Sequence, residues 1–242
     1  MISVSRMPSP MHVWITGAGS GLGAAIARKL PPQCMITLSG RNLAALEAMA
    51  EHIGRDRSIV CQCDVSDINA ITALHRDAVA RFGPVDVLVN NAGIAEFTEL
   101  VETQLESFER QIDVNLVGAI RCIKAILPSM IERRRGMILT MNSVAATTSF
   151  TSCTGYAASK AGLLAATRSL RQEVRHHGIK VVDVILGATA TGIWSEAMLA
   201  EHGERMINPD DVAQMVESVI FTLDNPTFLV EELTIRPQLG DL

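Results

Sequence analysis

The sequence HVWITGAGSGLG, residues 12–23, joins an apolar β-branched run to a glycine-rich turn. Residues 12–16 predict a buried strand, and residues 22–30 predict a helix that begins directly after the turn. Glycines in such a turn let the backbone bend tightly and let its N–H groups approach a pyrophosphate at the helix N-terminus. The order of strand, turn and helix therefore predicts a dinucleotide site. The alternative is a turn in which glycine serves only the backbone shape.

Short β-branched runs alternate with longer helical patterns along the rest of the chain, which is typical of a parallel sheet covered on both faces. The further predicted strands are 35–39, 59–63, 85–90, 136–142, 180–186 and 228–235. The further predicted helices are 43–53, 68–82, 105–131, 156–176 and 209–222. We expect one domain over 11–242 after a loose leader at 1–10. The long connection 187–207 is expected to form a short helical lid.

Composition excludes several classes of protein. The chain has 242 residues, 48% of them hydrophobic and 19% charged, with a net charge of −5. It has neither the basic stripe of a nucleic-acid-binding protein nor an apolar run of roughly 18–20 residues that would span a membrane. Its five cysteines are scattered, and Cys61 and Cys63 lack a second pair that would complete a zinc site. We therefore expect a cytoplasmic protein with no metal, nucleic-acid or membrane partner.

Several motifs follow the glycine turn in a fixed order. The turn reads Gly17-xxx-Gly21-x-Gly23, Asn90-Asn91-Ala92-Gly93 follows the fourth predicted strand, and Tyr156-xxx-Lys160 begins a helix. From residue 12 to about 237 the chain resembles the compact, single-domain branch of the short-chain dehydrogenase/reductase family. The resemblance implies a doubly wound Rossmann fold, with a seven-stranded parallel sheet in the order 3-2-1-4-5-6-7 and helices on both faces. It also implies a homodimer or homotetramer.

The resemblance further implies a nicotinamide cofactor along the carboxyl ends of the strands. Asp64 and Val65 would lie at the adenine, and Thr189 and Thr191 near the nicotinamide carboxamide and the pyrophosphate. Leu186 stands where the family usually has proline, which removes a fixed φ angle at the start of the lid. The implied cofactor contacts are Gly17, Gly19, Ser20, Gly21, Leu22, Gly23, Ser39, Arg41, Asp64, Val65, Asn91, Ala92, Gly93, Tyr156, Lys160, Thr189 and Thr191.

The end of the second predicted strand bears on the choice between NAD and NADP. An NAD enzyme usually has an acidic residue here that binds the ribose 2′-hydroxyl, but this chain has Ser39-Gly40-Arg41. A guanidinium can bind a 2′-phosphate through forked hydrogen bonds, so NADP(H) is predicted over NAD. The alternative is that Arg41 is a surface residue before a helix. In addition, Ser20 stands where many NADP-preferring relatives have a basic residue.

The predicted catalytic group centres on Tyr156, the only tyrosine in the chain. Lys160 follows one helical turn later, on the same helix face. Its ammonium, with the oxidised nicotinamide, is expected to lower the phenol pKa from about 10. The resemblance adds Ser143, which would bind the substrate oxygen, and Asn115, which would support a water chain from Lys160 to solvent. The alternative is an exposed Tyr–Lys pair without a catalytic role.

The implied reaction is hydride transfer between NADP(H) and a carbonyl or secondary alcohol, with Tyr156 as proton donor or acceptor. No Lys or Arg lies in 187–200, which favours a neutral, fairly apolar substrate. Two alternatives stay open: a non-catalytic NADP(H)-sensing or scaffold protein on the same fold, and an epimerase or dehydratase relative. The candidate pocket residues are mostly apolar and comprise Ala145, Phe150, Cys153, Leu186, Trp194 and Met198.

Overall fold

Seven parallel strands form the centre of the molecule in a computed structural model that describes residues 10–241. Their order is β3-β2-β1-β4-β5-β6-β7, which confirms the predicted doubly wound topology. The leader predicted at 1–10 lies, except for residue 10, outside the described residues. The strands are β1 Met11–Thr16, β2 Cys34–Gly40, β3 Ser58–Gln62, β4 Val87–Asn90, β5 Gly136–Ser143, β6 Ile179–Leu186 and β7 Glu232–Ile235.

Helices cover both faces of this sheet. One buried cluster joins the sheet to α1, α2 and α8, and a second joins it to α3, α5 and the end of α6. Local signals set several helix ends: the Asp67 carboxylate accepts hydrogen bonds from the first backbone N–H groups of α3. The helices are α1 Gly21–Lys29, α2 Leu43–Ile53, α3 Ile68–Phe82, α4 Leu105–Ile112, α5 Ala119–Arg133, α6 Thr154–Val174, α7 Glu196–His202 and α8 Pro209–Ile220.

Two elements differ from the sequence prediction. The helix predicted over 105–131 contains a wider π-helical turn at Asp113–Gly118, which separates α4 from α5. Such turns insert one extra residue and are frequent at functional sites. Strand β7 begins at Glu232 rather than at residue 228. The Lys180 ammonium donates hydrogen bonds to the carbonyls of Thr222, Asn225 and Phe228, which holds the preceding segment in a turn.

The joined helix Leu105–Arg133 is long and apolar enough to cross a membrane, by length and composition alone. Its most apolar window has a mean hydropathy of 1.5. The sequence analysis did not single this helix out, because its charged residues interrupt every apolar run. In the fold, Cys122, Ile126 and Met130 are fully buried in the second core cluster. Packing against the sheet therefore accounts for the apolar face of this helix.

A buried ion pair fastens α6 to β6. Arg171 Nη2 lies 2.8 Å from Asp183 Oδ2, and the two side chains are 3% and 0% exposed. The Thr167 hydroxyl, one turn earlier on α6, lies 2.8 Å from Asp183 Oδ1. Residues about four positions apart lie on the same face of a helix, so Thr167 and Arg171 lie on the face of α6 that also carries Lys160.

Candidate active site

A large cleft of about 880 Å³ opens at the carboxyl ends of the strands. It is lined by the turn after β1, the ends of β2, β4 and β5, the start of α6, and the segment after β6. The structure brings nearly all the predicted site residues together here. Only Gly23 and Asn115 do not line the cleft.

The glycine turn has the backbone conformation that the sequence predicts. Gly17 and Gly21 have φ angles of +68° and +51°, which favour glycine over residues with a side chain. Gly23 has a packing role instead: a Cβ atom there would lie 2.3 Å from the Gly17 carbonyl oxygen. The absence of a side chain at Gly23 therefore lets α1 begin close against the turn.

Thr16 ties this turn to the Asn90–Gly93 loop, a role that the sequence analysis did not assign. Its hydroxyl oxygen accepts hydrogen bonds from the backbone N–H groups of Asn91 and Ala92, at 3.0 and 2.9 Å. The Asn91 amide in turn donates to the Thr16 carbonyl at 2.9 Å. The signal in the sequence was a hydroxyl at the last position of the first strand, directly before the glycines.

At the end of β2, Arg41 is exposed whereas the Ser39 side chain is buried. The Ser39 hydroxyl is 2% exposed; it accepts a hydrogen bond from Trp14 Nε1 at 2.9 Å and donates to the Ile15 carbonyl at 3.2 Å. Arg41 is exposed and, within residues 10–241, forms no salt bridge. Of the two polar side chains predicted here, only Arg41 is available to a ligand.

Asp64 follows β3, the strand next to β2, and lies close enough to Arg41 for their charges to interact. Partial burial would raise its pKa, but two hydrogen bonds from Ser66 and the positive charges of Arg41 and Arg110 outweigh burial and hold the pKa below its usual value. The Ser66 backbone N–H and hydroxyl both donate to Asp64 Oδ1, at 2.9 and 2.8 Å. Within residues 10–241 the second carboxylate oxygen has no hydrogen bond.

Tyr156 and Lys160 lie side by side at the start of α6, next to the end of β5. Lys160 Nζ is 5.7 Å from the centre of the Tyr156 ring and donates a hydrogen bond to the Met141 carbonyl at 2.9 Å. Ser143, at the end of β5, lies close enough to Tyr156 to oppose the effect of burial on the pKa of the phenol. Tyrosine, lysine and serine therefore meet as the motif spacing predicts.

Burial governs the ionisation of this pair in the protein alone. It raises the pKa of Tyr156 to about 12, although Ser143 opposes the rise. Burial lowers the pKa of Lys160 to about 8. The predicted joint effect of the Lys160 ammonium and an oxidised nicotinamide on the phenol pKa stays a prediction. Desolvation dominates, so Tyr156 holds its proton at neutral pH.

Asn115 lies behind the cleft and has a structural function for its side chain. Its Oδ1 accepts from the Ile94 backbone N–H at 2.8 Å, and its Nδ2 donates to the Ile94 carbonyl and to the Ser159 hydroxyl at 2.8 and 2.9 Å. The π-helical turn places this residue, which is 1% exposed, between the loop after β4 and helix α6. The predicted water chain from Lys160 therefore cannot use the Asn115 amide protons.

The segment after β6 contains the short helix α7 and lines the cleft, while its predicted role as a lid stays a prediction. The Thr189 hydroxyl donates to the Gly187 carbonyl at 3.1 Å, and the Thr189 carbonyl accepts from Trp194 Nε1 at 3.0 Å. The Thr191 side chain packs against Gly21, with Cβ 3.3 Å from the place of a Cβ on that glycine. Both threonines thus line the cleft opposite the glycine turn.

Three cleft residues carry no motif and were missed. Phe97 lies in the loop after β4, where no pattern marks a lone phenylalanine. His202 and Arg205 line the cleft just beyond the stretch 187–200, for which the sequence analysis noted no basic residue. The wall formed by the lid is therefore less neutral than the sequence indicated.

Known proteins resemble this chain along nearly its whole length. A family model described as short chain dehydrogenase matches residues 11–202. An uncharacterized oxidoreductase of Staphylococcus saprophyticus is 32% identical over 229 residues, which cover 92% of this chain and 95% of that protein. The glycine betaine reductase ATRR of Emericella nidulans is 33% identical over 236 residues, 93% of this chain but 18% of that much longer protein.

Solved structures show the same fold with bound cofactor. A metagenomic short-chain oxidoreductase in complex with NADP has a TM-score of 0.82 at 31% identity, covering 96% of this chain and 99% of that chain. An alcohol dehydrogenase from Thermococcus sibiricus, complexed with 5-hydroxy-NADP, has a TM-score of 0.85 at 28% identity, covering 96% and 98%. With the cleft geometry above, these matches show that the chain belongs to the short-chain dehydrogenase/reductase family of oxidoreductases.

Proposed function

We propose that this protein transfers hydride between NADP(H) and a carbonyl or secondary alcohol, with Tyr156 as the general acid or base. The observation that carries the proposal is the meeting of Tyr156, Lys160 and Ser143 in the same cleft as the glycine turn. A scaffold or sensor protein would need the glycine turn but not a buried phenol and ammonium beside a serine hydroxyl. A catalytic function therefore accounts for more of the observed site residues than a sensing or scaffold function does.

The residues of the cleft fit a nicotinamide dinucleotide. A Cβ on Gly93 would lie 3.2 Å from Asn115 Oδ1 and 3.8 Å from Lys160 Nζ, so bare backbone here leaves room beside the lysine. The turn at Gly17 and Gly21 offers backbone N–H groups to a pyrophosphate. Arg41 would bind the 2′-phosphate, and the end of β2 carries no carboxylate that would bind a free 2′-hydroxyl. The NADP complexes of similar structures support this choice over NAD.

The chain's own residues would bind the substrate oxygen and supply the proton. When bound, NADPH provides the hydride. Ser143 and Tyr156 would hold the carbonyl oxygen by hydrogen bonds, and Tyr156 would donate its proton as negative charge develops there. Because the Tyr156 pKa is about 12 before substrate binds, the phenol is present as the acid at neutral pH. Alcohol oxidation would reverse these steps and require the phenolate.

We also propose a cytoplasmic homodimer or homotetramer that uses α4, α5 and α6. Ala161 and Ala165 on α6 are exposed to solvent in the single chain rather than packed on its own sheet. Val117, in the π-helical turn nearby, is 37% exposed. Small and apolar residues on neighbouring helices permit close helix contact with a second copy. Sedimentation velocity would test the oligomeric state.

The decisive experiment follows NADPH absorbance with a panel of aldehydes and ketones, for the wild type and Tyr156→Phe. We expect turnover by the wild type and a loss of kcat of at least tenfold in the variant, with the dissociation constant for NADPH unchanged within twofold. Tyr156→Phe with a tenth or more of wild-type kcat would overturn the role of Tyr156. If the wild type binds NADPH but no carbonyl of the panel leads to its oxidation, the sensing or scaffold alternative would be favoured.

A further inference from the structure

Aromatic side chains are scarce in this protein, and the cleft holds many of them. The sequence contains two tryptophans, one tyrosine and six phenylalanines. Four of these nine rings line the cleft: Phe97, Phe150, Tyr156 and Trp194. The other tryptophan, Trp14, is fully buried in the core. This concentration calls for a ligand that uses aromatic contacts, because a merely apolar wall is supplied elsewhere in the chain by Leu, Ile and Val.

Three of the rings form a continuous series that ends on the proposed general acid. Phe97 stacks on Trp194, with ring centres 5.0 Å apart and an interplanar angle of 10°. Phe97 also meets Tyr156 in an edge-to-face contact, with ring centres 5.8 Å apart and an angle of 65°. Phe97 and Trp194 come from different loops, so their stack joins the loop after β4 to the lid. A carbonyl group at the Tyr156 hydroxyl must therefore place its substituent beside these rings.

The stack is fixed in place but is not part of the core. The hydrogen bond from Trp194 Nε1 to the Thr189 carbonyl orients the indole, and Thr189 pairs with Ile207 in an isolated bridge. Phe97 is 39% exposed and belongs to none of the buried clusters. Two large rings held at the wall of a cleft, without a role in core packing, form a preorganised binding surface.

The charges around the cleft favour a neutral partner for these rings over a cation. Aromatic walls bind both planar rings and quaternary ammonium groups. Lys160 is buried below the stack, and His202 and Arg205 line the same cleft. The acidic side chain at the substrate end, Asp241, is paired with Arg236. Within residues 10–241, the carboxylates that line the cleft are Asp64, beside Arg41, and the ion-paired Asp241, so a cationic substrate would meet more basic than acidic groups.

We propose that the cleft selects aryl carbonyl compounds, in which a planar aromatic ring is attached to the carbonyl carbon and held by the Phe97–Trp194 stack. This inference rests on the proposed reductase function and names its substrate class. Ring–ring contacts contribute about 0.5–1.5 kcal/mol beyond burial, which corresponds to a selectivity of about three- to tenfold. A saturated ring of the same size would lose this part of the interaction.

The test compares benzaldehyde with cyclohexanecarbaldehyde in NADPH-dependent reduction by the wild type, Trp194→Leu and Phe97→Leu. The measured quantity is the ratio of the two kcat/KM values in each protein. Comparing this ratio between proteins cancels the different intrinsic reactivities of the two aldehydes. We expect each variant to lower the benzaldehyde preference about three- to tenfold. Phe221→Leu, which removes a 46% exposed ring outside the cleft, should leave it unchanged.

A second pair of substrates tests the cation alternative. Betaine aldehyde and 3,3-dimethylbutanal have the same shape and differ by one positive charge. If Trp194→Leu and Phe97→Leu lower the preference for betaine aldehyde and leave the benzaldehyde ratio intact, the stack binds a cation and the proposal is wrong. Inhibition constants of benzyl alcohol and cyclohexylmethanol measure binding independently of turnover. In both variants, the affinity for benzyl alcohol should fall by a larger factor than the affinity for cyclohexylmethanol.

The outcomes separate this inference from the proposed function. If all proteins reduce these aldehydes but both aromatic variants keep the benzaldehyde ratio within twofold of wild type, the aryl selectivity is refuted and the reductase function stands. If the wild type binds NADPH but reduces neither these four aldehydes nor any carbonyl of the wider panel, the reductase function fails and the substrate class fails with it. Because the two rings lie on different loops, either variant alone carries the test should the other fail to fold.

Discussion

Arg171→Met breaks the buried ion pair that holds helix α6 against the sheet. Methionine keeps an unbranched apolar stem in the place of the arginine stem, so packing is largely preserved while the charge is removed. Arg171 Nη2 lies 2.8 Å from Asp183 Oδ2, and Nη2 and Nε also donate to the Glu231 and Val181 carbonyls at 2.8 Å. Removing one partner of such a pair leaves an uncompensated buried charge, which costs about 3–5 kcal/mol.

A matched control lies four residues further along the chain. Arg175 pairs with Glu231 at 3.2 Å, but its side chain is 51% exposed. Exposed pairs contribute about 0–1 kcal/mol, so Arg175→Met should change the free energy of unfolding by no more than that. The difference between the two variants isolates the effect of burial from that of losing an arginine.

The loss caused by Arg171→Met should depend on pH, with a direction set by Asp183. Burial raises the pKa of Asp183 to about 6, although Thr167 and Arg171 oppose the rise. Without Arg171 this pKa rises further. A folded-state pKa above the unfolded value of about 3.9 makes protonation favour folding. The stability that this group contributes is therefore present below pH 4 and lost as the pH rises through its folded-state pKa.

Urea unfolding followed by far-UV circular dichroism at pH 5, 6.5 and 8 measures this effect. In the wild type, a pKa of about 6 rather than about 3.9 means that ionised Asp183 costs the fold about 3 kcal/mol relative to the protonated form. In Arg171→Met the penalty at pH 8 should be larger and should shrink toward pH 5. Adding Asp183→Asn should restore part of the stability at pH 8 and remove the difference between the two pH values. An equal loss at pH 5 and pH 8, with no recovery in the double variant, would refute the role of the charge.

Three further changes test the cofactor and catalytic groups. Arg41→Ala should weaken NADPH binding about ten- to a hundredfold, because a charge-assisted contact to the 2′-phosphate contributes about 1.5–3 kcal/mol. The affinity for NADH should be almost unchanged. If both dissociation constants, measured at one ionic strength, rise equally, the NADP assignment is contradicted. Lys160 has a pKa of about 8 because it is buried, so kcat/KM for reduction should fall above that pH, and Lys160→Arg should move the fall to higher pH. A pH profile unchanged by Lys160→Arg would exclude the lysine as the titrating group. Gly23→Ala places a Cβ 2.3 Å from the Gly17 carbonyl and should weaken NADPH binding by at least tenfold in a calorimetric titration, whereas Gly203→Ala meets nothing within 4 Å and should bind as wild type.

The sequence predicted the sheet well because its signals are local. Each central strand is a short β-branched run, and Gly17 and Gly21 stand where the backbone needs positive φ. The π-helical turn at Asp113–Gly118 left no comparable signal, because its extra residue does not interrupt the apolar pattern of a long helix. The late start of β7 depends on Lys180, which lies far away in the sequence. Such long-range hydrogen bonds cannot be deduced from propensity.

The site shows the same division. The motif spacing placed Tyr156, Lys160 and Ser143 together, because positions on one helix face and at one strand end follow from regular geometry. The sequence could not show that the Ser39 hydroxyl is already hydrogen-bonded within the protein, since its partner Trp14 lies on the neighbouring strand. Nor could the contribution of Phe97, because a loop residue has no period that would place its ring over Tyr156.

Helix α6 carries two buried cations that the fold treats in opposite ways. Arg171 is matched by Asp183, so its charge serves the attachment of the helix to the sheet. Lys160 has, among residues 10–241, no carboxylate partner, and its hydrogen bond goes to the neutral Met141 carbonyl. An acid beside Lys160 would raise its pKa and neutralise its field at Tyr156. Burial without a neighbouring acid lowers that pKa to about 8, and the ammonium lies 5.7 Å from the centre of the Tyr156 ring. The cation of the proposed chemistry is thus the one that the fold leaves unpaired, whereas the paired Arg171 joins the helix to the sheet.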